Sequence, residues 1–210
     1  LLLALKPYGL SPEALCPAYG TEEATLGVTM WAPGSTPRVR YFERASLGPY
    51  TSVLEVSEHD LDAVAMIDRG SVIAECELRV VDEDRATVRE GVVGKILVRG
   101  PNVFEGYYGR PSTTSLAKQG QWLNTGDLGF VLEGRLFVCG RSSDVVAVEG
   151  QSFHANDLET TLHNIPGLGP KRVGVIGWTE RDSGRERVVV FAHCEPGLER
   201  QELRVEIASS

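Results

Sequence analysis

"WLNTGDLGFVLEGRLFVCGRSSD", residues 122–144, decides how this chain is read. Two apolar runs flank Glu133-Gly134, and Gly134 can supply the positive φ of a tight turn, so residues 128–140 form a predicted β-hairpin. Just before it, a strand ending in Thr125-Gly126-Asp127 sets a carboxylate at a sharp bend, where glycine allows close approach of a ligand. Gly140-Arg141 and then Ser142-Ser143-Asp144 follow the hairpin. Neither a core nor a solvated loop requires a lone acid, a hairpin and a lone arginine in that order.

Downstream, residues 144–150 read as a short strand and residues 155–165 as a helix, with Asn156 as cap, Glu159 three residues on, and Leu158 and Leu162 on one face. Residues 172–178 and 186–194 read as buried strands and residues 198–207 as a final helix. That order predicts a small α+β unit built on one sheet, with a domain boundary at 140–144. Upstream, "ECELRVVD" (75–82) and "GVVGKILVRG" (91–100) read as strands, while residues 31–70, with Pro33, Pro37 and Pro49, read as irregular.

The 210 residues suffice for one ordinary domain or parts of two. A hydrophobic share of 42% with 24% charged residues is a globular balance that can bury a core. A net charge of −8 and a pI near 5.1 argue against nucleic acid or an anionic membrane as partner. Leu1–Leu5 is too short for a signal or a membrane span, and with no initiating Met it reads as the end of an element begun earlier. Cys16, Cys76, Cys139 and Cys194 are scattered without metal spacing, which predicts reduced thiols and a cytoplasmic protein.

Each polar motif has two readings. Asp127 can accept from the vicinal hydroxyls of a ribose, or cap the turn that follows it. Arg141 can donate to ribose or phosphate, or pair with a surface acid. Asp144, between hairpin and new sheet, can absorb the φ/ψ change of a hinge. In "PAYGTEEATL" (17–26), Tyr19 beside Gly20 offers a stacking plane next to accessible backbone, or a core aromatic. Glu23 is a hard oxygen ligand for Mg²⁺, or a helix-start acid.

Taken together, Tyr-Gly-x-x-Glu, Trp-x-x-Thr-Gly-Asp and Gly-Arg-x-x-Asp in this order resemble the adenylate-forming superfamily of acyl-CoA synthetases, nonribosomal adenylation domains and luciferases. The finer resemblance is to fatty acyl-AMP ligases, carried by "PAYGTEEATL", "VRYFERASL" (39–47), "ILVRGPNVFEGYYGRPSTT" (96–114) and "VEGQSFHANDLE" (148–159). It implies an α+β fold: the β-rich end of the large AMP-binding domain (1–140), a hinge, and the start of a small mobile C-terminal domain (141–210). It further implies that Tyr19 and Gly20 meet adenine, that Glu22 lies near the α-phosphate, and that Glu23 binds the Mg²⁺ of ATP. Asp127 would hold the ribose, Arg141 the ribose or phosphate, and Asp144 would be the pivot. The implied reaction joins a fatty acid to AMP and passes the acyl group to an acyl carrier protein of a polyketide or nonribosomal peptide synthase.

The family's glycine-rich phosphate loop and catalytic lysine have no match in these 210 residues, and Lys171 reads as a solvated loop lysine. The chain alone is therefore expected not to adenylate, because electrostatic stabilisation of the transferring phosphoryl is a leading catalytic term. Three positions depart from the pattern: Glu22 for Ala or Thr, Ser143 for Lys, Ala155 for Pro. Glu22 matters most, since a second carboxylate beside a phosphate is unfavourable without a cation between them. An acyl-CoA synthetase and a catalytically silent adenylate-fold binding module stay open as alternatives; the insertion-like segment 38–70 argues against the first, and Glu22 for the second.

Overall fold

The structure is a computed structural model that describes residues 2–36, 38–148, 151–162, 173–179 and 186–193. The chain forms two compact units, Leu1–Gly140 and Arg141–Ser210. The fold is mixed and strand-rich. The predicted helix at 198–207, Lys171 and Cys194 lie outside the described residues.

The first unit begins with the short helix α1 (Leu2–Leu5), then β1 (Ala18–Tyr19), β2 (Thr29–Met30), β3 (Val39–Glu43), β4 (Ala63–Ile67), β5 (Ser71–Val72), β6 (Glu77–Val81) and β7 (Gly94–Arg99). Helix α2 (Pro111–Ala117), β8 (Lys118–Gln119), β9 (Trp122–Leu132) and β10 (Arg135–Arg141) follow. The principal sheet is antiparallel in the order β10-β9-β7-β6, with β8 on β9; β1-β2-β5 and β3-β4 form smaller sheets. β7 shows why one face is core: Gly94, Ile96 and Val98 are buried and alternate with Lys95, Leu97 and Arg99. At the β9–β10 turn Glu133 (φ 54°) and Gly134 (φ 69°) are both left-handed, as a two-residue hairpin turn requires.

Residues 31–70 are irregular over much of their length, but two paired strands run through them. β3 pairs with β4 in register from Val39↔Ile67 to Glu43↔Ala63. Phe42, the fourth residue of β3, is fully buried. Its ring meets Phe130 and Phe137 edge-on at 5.2 and 5.4 Å, while those two stack at 4.9 Å. Each such aromatic pair adds about 0.5–1.5 kcal/mol beyond its buried area. Arg40 donates twice to Glu55, at 2.8 and 2.6 Å, and lies 3.3 Å from Glu133 at the hairpin turn. A second cluster gathers Ala24, Val28, Ile96, Val98, Leu123 and Leu136, with Tyr19 packed against it.

The second unit holds β11 (Val145–Val148) paired with β12 (Gln151–His154), helix α3 (Ala155–Leu162), and β13 (Val173–Thr179) paired with β14 (Glu186–Ala192). Among the described residues these are two hairpins, not the single sheet expected. Their core is Val146, Ala155, Leu162 and Val175. Helix α3 starts at Ala155, so Asn156 lies inside it, and its carbonyl accepts from the Thr160 hydroxyl at 2.7 Å. Glu159 reaches out of the helix to accept the Val175 amide at 3.0 Å rather than closing a capping box. Cys76 and Cys139 are half-buried and Cys16 is exposed, and none of the three is in a disulfide.

Candidate functional site

The strand carrying Asp127 does not stop at Thr-Gly-Asp; it bulges and continues. Along β7, Lys95 and Leu97 are two steps apart, but their partners on β9, Leu128 and Asn124, are four apart. Two extra residues are therefore accommodated between Asn124 and Leu128, and a bulge of this kind re-aims a side chain without ending the strand. Local bonds fix its shape: the Gly126 amide donates to Asn124 Oδ1 (3.1 Å), the Asp127 amide to Thr125 Oγ1 (3.2 Å), and the Thr125 hydroxyl to the Ile96 carbonyl (3.0 Å). Gly126 has φ +78°, and a Cβ there would meet open space, so glycine is required by conformation and not by crowding.

Asp127 is 8% exposed, and its Oδ2 accepts a 2.6 Å hydrogen bond from the Tyr19 hydroxyl, 108 residues away in sequence. That length is typical of a phenol donating to an ionised carboxylate. The structure thus brings together two of the sequence-predicted residues.

Gly20 has a different reason to be glycine. A Cβ there would lie 2.3 Å from the backbone carbon and oxygen of Leu26, so the chain itself fills the space beside it. Glu22–Ala24 form a single 3-10 turn, with Glu22 exposed and Glu23 half-buried. The chain then passes through two consecutive left-handed residues without glycine, Thr25 (φ 51°) and Leu26 (φ 61°). Such conformations cost about 1–2 kcal/mol each and persist only where neighbours over-determine them.

The neighbours are in the loop after β7. Asn102 Nδ2 donates to the carbonyls of Ala24 (2.9 Å) and Gly27 (2.6 Å), bracketing the strained pair, and its own carbonyl accepts the Thr25 hydroxyl at 2.8 Å. The Cys76 thiol in turn donates to Asn102 Oδ1 at 3.0 Å. Two residues on, the Phe104 amide donates to the Glu23 carbonyl (2.8 Å), and the Tyr107 hydroxyl donates to Glu23 Oε1 at 2.7 Å. That bond to Glu23 raises the Tyr107 phenol above its ordinary pKa range. Asn102 and Tyr107 were not singled out by sequence reasoning. Gly100-Pro101-Asn102 signals a turn, but no local feature says what it clamps.

Arg141 and Asp144 belong to the second unit. Arg141 is exposed at the end of β10, ahead of a 3-10 turn at Ser142–Asp144. Asp144 is exposed, and its Oδ1 accepts from the Ser143 hydroxyl at 2.8 Å.

Among the described residues no group of three or more His, Cys, Asp or Glu side chains could hold a metal by itself. No helix among them is long and apolar enough to cross a membrane.

The family model for AMP-binding enzymes matches residues 8–108. The chain is 34% identical over 209 residues to the 4-hydroxyphenylalkanoate adenylyltransferase of Mycobacterium marinum, covering 93% of this chain and 33% of that protein. It is 31% identical over 209 residues to a long-chain-fatty-acid–AMP ligase of Mycobacterium tuberculosis, covering 88% and 35% respectively. Its fold is similar to a solved structure from a study of fatty acyl-adenylate ligases of E. coli and L. pneumophila, with a TM-score of 0.81 at 22% identity, over 98% of this chain and 36% of that one. The chain spans about a third of the length of the curated relatives it matches.

Proposed function

The chain belongs to the AMP-binding enzyme family, and from that membership we propose that its parent activity is adenylate-forming: an alkanoate carboxylate is joined to AMP from ATP and then passed to a carrier-protein thiol. The observation that carries this reading is the convergence of Tyr19 and Asp127, which places an aromatic ring and a buried carboxylate at one point. A ring face for adenine and a carboxylate for two vicinal hydroxyls are the two halves of nucleoside recognition. The names of the two curated relatives share an aliphatic acid, long-chain in one and aryl-ended in the other, which supports an alkanoate as the acyl donor.

In the reaction proposed, a carboxylate oxygen attacks the α-phosphorus, the α–β bridging bond breaks, and pyrophosphate leaves. A thiolate then attacks the acyl carbon and AMP leaves. Tyr19 and Asp127 hold the nucleoside, Arg141 donates to ribose or phosphate, and Asp144 is the pivot between the two half-reactions. Glu23, oriented by Tyr107, fits one carboxylate ligand of a Mg²⁺ that is otherwise held by phosphate and water, the donor set this ion prefers. When bound, Mg²⁺ supplies charge neutralisation at the phosphates.

The 210 residues are proposed to bind nucleotide without turning it over, since they contain no counterpart of the phosphate loop or the catalytic lysine. Exposed Glu22 favours a second reading, a binding module that never adenylates, because it adds negative charge where the α-phosphate would lie. Two measurements on one preparation test the proposal: calorimetric titration with a non-hydrolysable acyl-AMP analogue, and ATP–pyrophosphate exchange with fatty acids. Binding without exchange is expected. Exchange by the chain alone would overturn the division of roles, and no binding would overturn the site. Restoring exchange in a longer protein that carries a Thr-Ser-Gly-rich loop upstream separates the ligase from the silent module.

A further inference from the structure

We propose that the Tyr19 hydroxyl is a positioning group for Asp127, so that one tyrosine serves the base with its ring and the sugar through its neighbour. The inference rests on the assignment of Asp127 to the ribose made above. Three observations carry it.

First, the bond itself is short, 2.6 Å, and joins Tyr19 on β1 to the bulge of β9 across 108 residues of sequence. A contact between elements so far apart is built by the fold and is not a local turn.

Second, Asp127 follows Gly126 in a bulge, at φ +78°, where glycine leaves the backbone conformationally freer than any other residue would, so a bond from a distant strand adds a fixed point to the carboxylate. A hydrogen bond that holds one carboxylate oxygen spares the ligand the entropy of ordering the group. The phenol itself takes only one of the roughly four lone-pair sites of an ionised carboxylate.

Third, the two jobs do not compete. A phenol donates in the plane of its ring, so the bond to Asp127 leaves the ring faces to packing: the ring already lies against the Ala24–Leu136 cluster. A base stacked on a ring face would lie in a parallel plane, and a sugar leaving its edge on the hydroxyl side would come down beside Asp127. Base and sugar are then read as one rigid unit.

The experiment compares AMP with 2′,3′-dideoxy-AMP, by calorimetry, on the wild-type chain, Tyr19→Phe, Asp127→Ala and the double variant. Phenylalanine keeps the ring and removes only the hydroxyl. The wild type is expected to prefer AMP, and Tyr19→Phe to lower AMP affinity about fivefold, the scale of one net hydrogen bond, with dideoxy-AMP unchanged. In the Asp127→Ala background Tyr19→Phe is expected to leave the preference where it is. Because both nucleotides read the same folded fraction, their ratio holds even if a variant loses stability. Equal losses for the two nucleotides, or no change in either, would overturn the positioning role while leaving Asp127 on the ribose. A wild type that binds both nucleotides alike, or neither, would overturn the ribose assignment and this inference with it.

Discussion

Gly20 and Gly126 look alike in sequence, each within a Gly-containing polar motif, yet alanine should act on them through different physics. At Gly20 the new methyl would lie 2.3 Å from Leu26 backbone carbon and oxygen and 2.6 Å from the Gly27 nitrogen. Backbone cannot swing aside as a side chain can, and the segment it belongs to is pinned by the two Asn102 bonds. The turn must be displaced bodily, so the cost lies at or beyond the upper end of overpacking, about 3 kcal/mol. At Gly126 no atom is displaced; the methyl is placed at φ +78° in open space, which costs about 1–2 kcal/mol of left-handed strain. For a unit of this size roughly 3 °C of melting temperature accompanies each kcal/mol. Gly20→Ala is therefore expected to melt about 10 °C below wild type and Gly126→Ala about 3–6 °C below it. The assay is thermal unfolding followed by tryptophan fluorescence, with Trp31 and Trp122 reporting on the first unit. Equal losses, or a larger one for Gly126→Ala, would refute the distinction between crowding and conformation.

Removing the ring of Phe42 should cost about 3–5 kcal/mol, since the side chain is fully buried between two aromatic partners; a loss under about 1 kcal/mol in urea titration would show that the β3–β4 hairpin is not anchored there. Asn102→Asp is expected to melt below Asn102→Ala, because it turns a carboxylate toward two carbonyl oxygens where alanine only leaves them unbonded; the reverse order would mean the amide faces the other way. The hydrogen bond from Arg40 holds the Glu55 carboxyl below its ordinary value of 4.5. A lowered carboxyl stabilises the fold above that value and ceases to do so as pH falls through the folded pKa. The gap in stability between wild type and Glu55→Gln, under about 1 kcal/mol for so exposed a pair, should therefore be present at pH 7 and close as pH falls below the ordinary value of 4.5 and through the folded pKa; a gap that widens in acid would reverse the sign.

The overall class was legible because the strongest signals were long and periodic. The 128–140 hairpin carried two apolar runs about a glycine turn, and β6, β7 and α3 each lay within the span read for them. β3 and β4 were not legible, because each is five residues long in a proline-rich segment, and what makes them strands is Phe42 entering a pocket whose walls are ninety residues downstream. The continuation of β9 through Asp127 was hidden for a related reason. A glycine before a polar residue reads as a strand end, and only the register against β7 shows a bulge. Of the site, the acids and the tyrosine could be picked out as residue types suited to nucleotide chemistry. Their pairing could not, and neither could the service of Asn102 and Tyr107, since hydrogen bonds across 75–108 residues leave no mark on local pattern.

The seat of Phe42 also limits how the segment around β3 and β4 can be moved between proteins. Residues 38–67 have the outline of a portable cassette, preceded by Pro37 and closed by the pairing of β3 with β4. Phe42, however, belongs to a three-ring cluster whose other two members sit on β9 and β10. A graft into a related scaffold must carry Phe130 and Phe137, or side chains of matching shape, along with the cassette. A recipient with smaller residues there would receive an exposed phenylalanine and a loose loop. Recombination in this family is thus expected to exchange the segment and the β9–β10 hairpin as one heritable block.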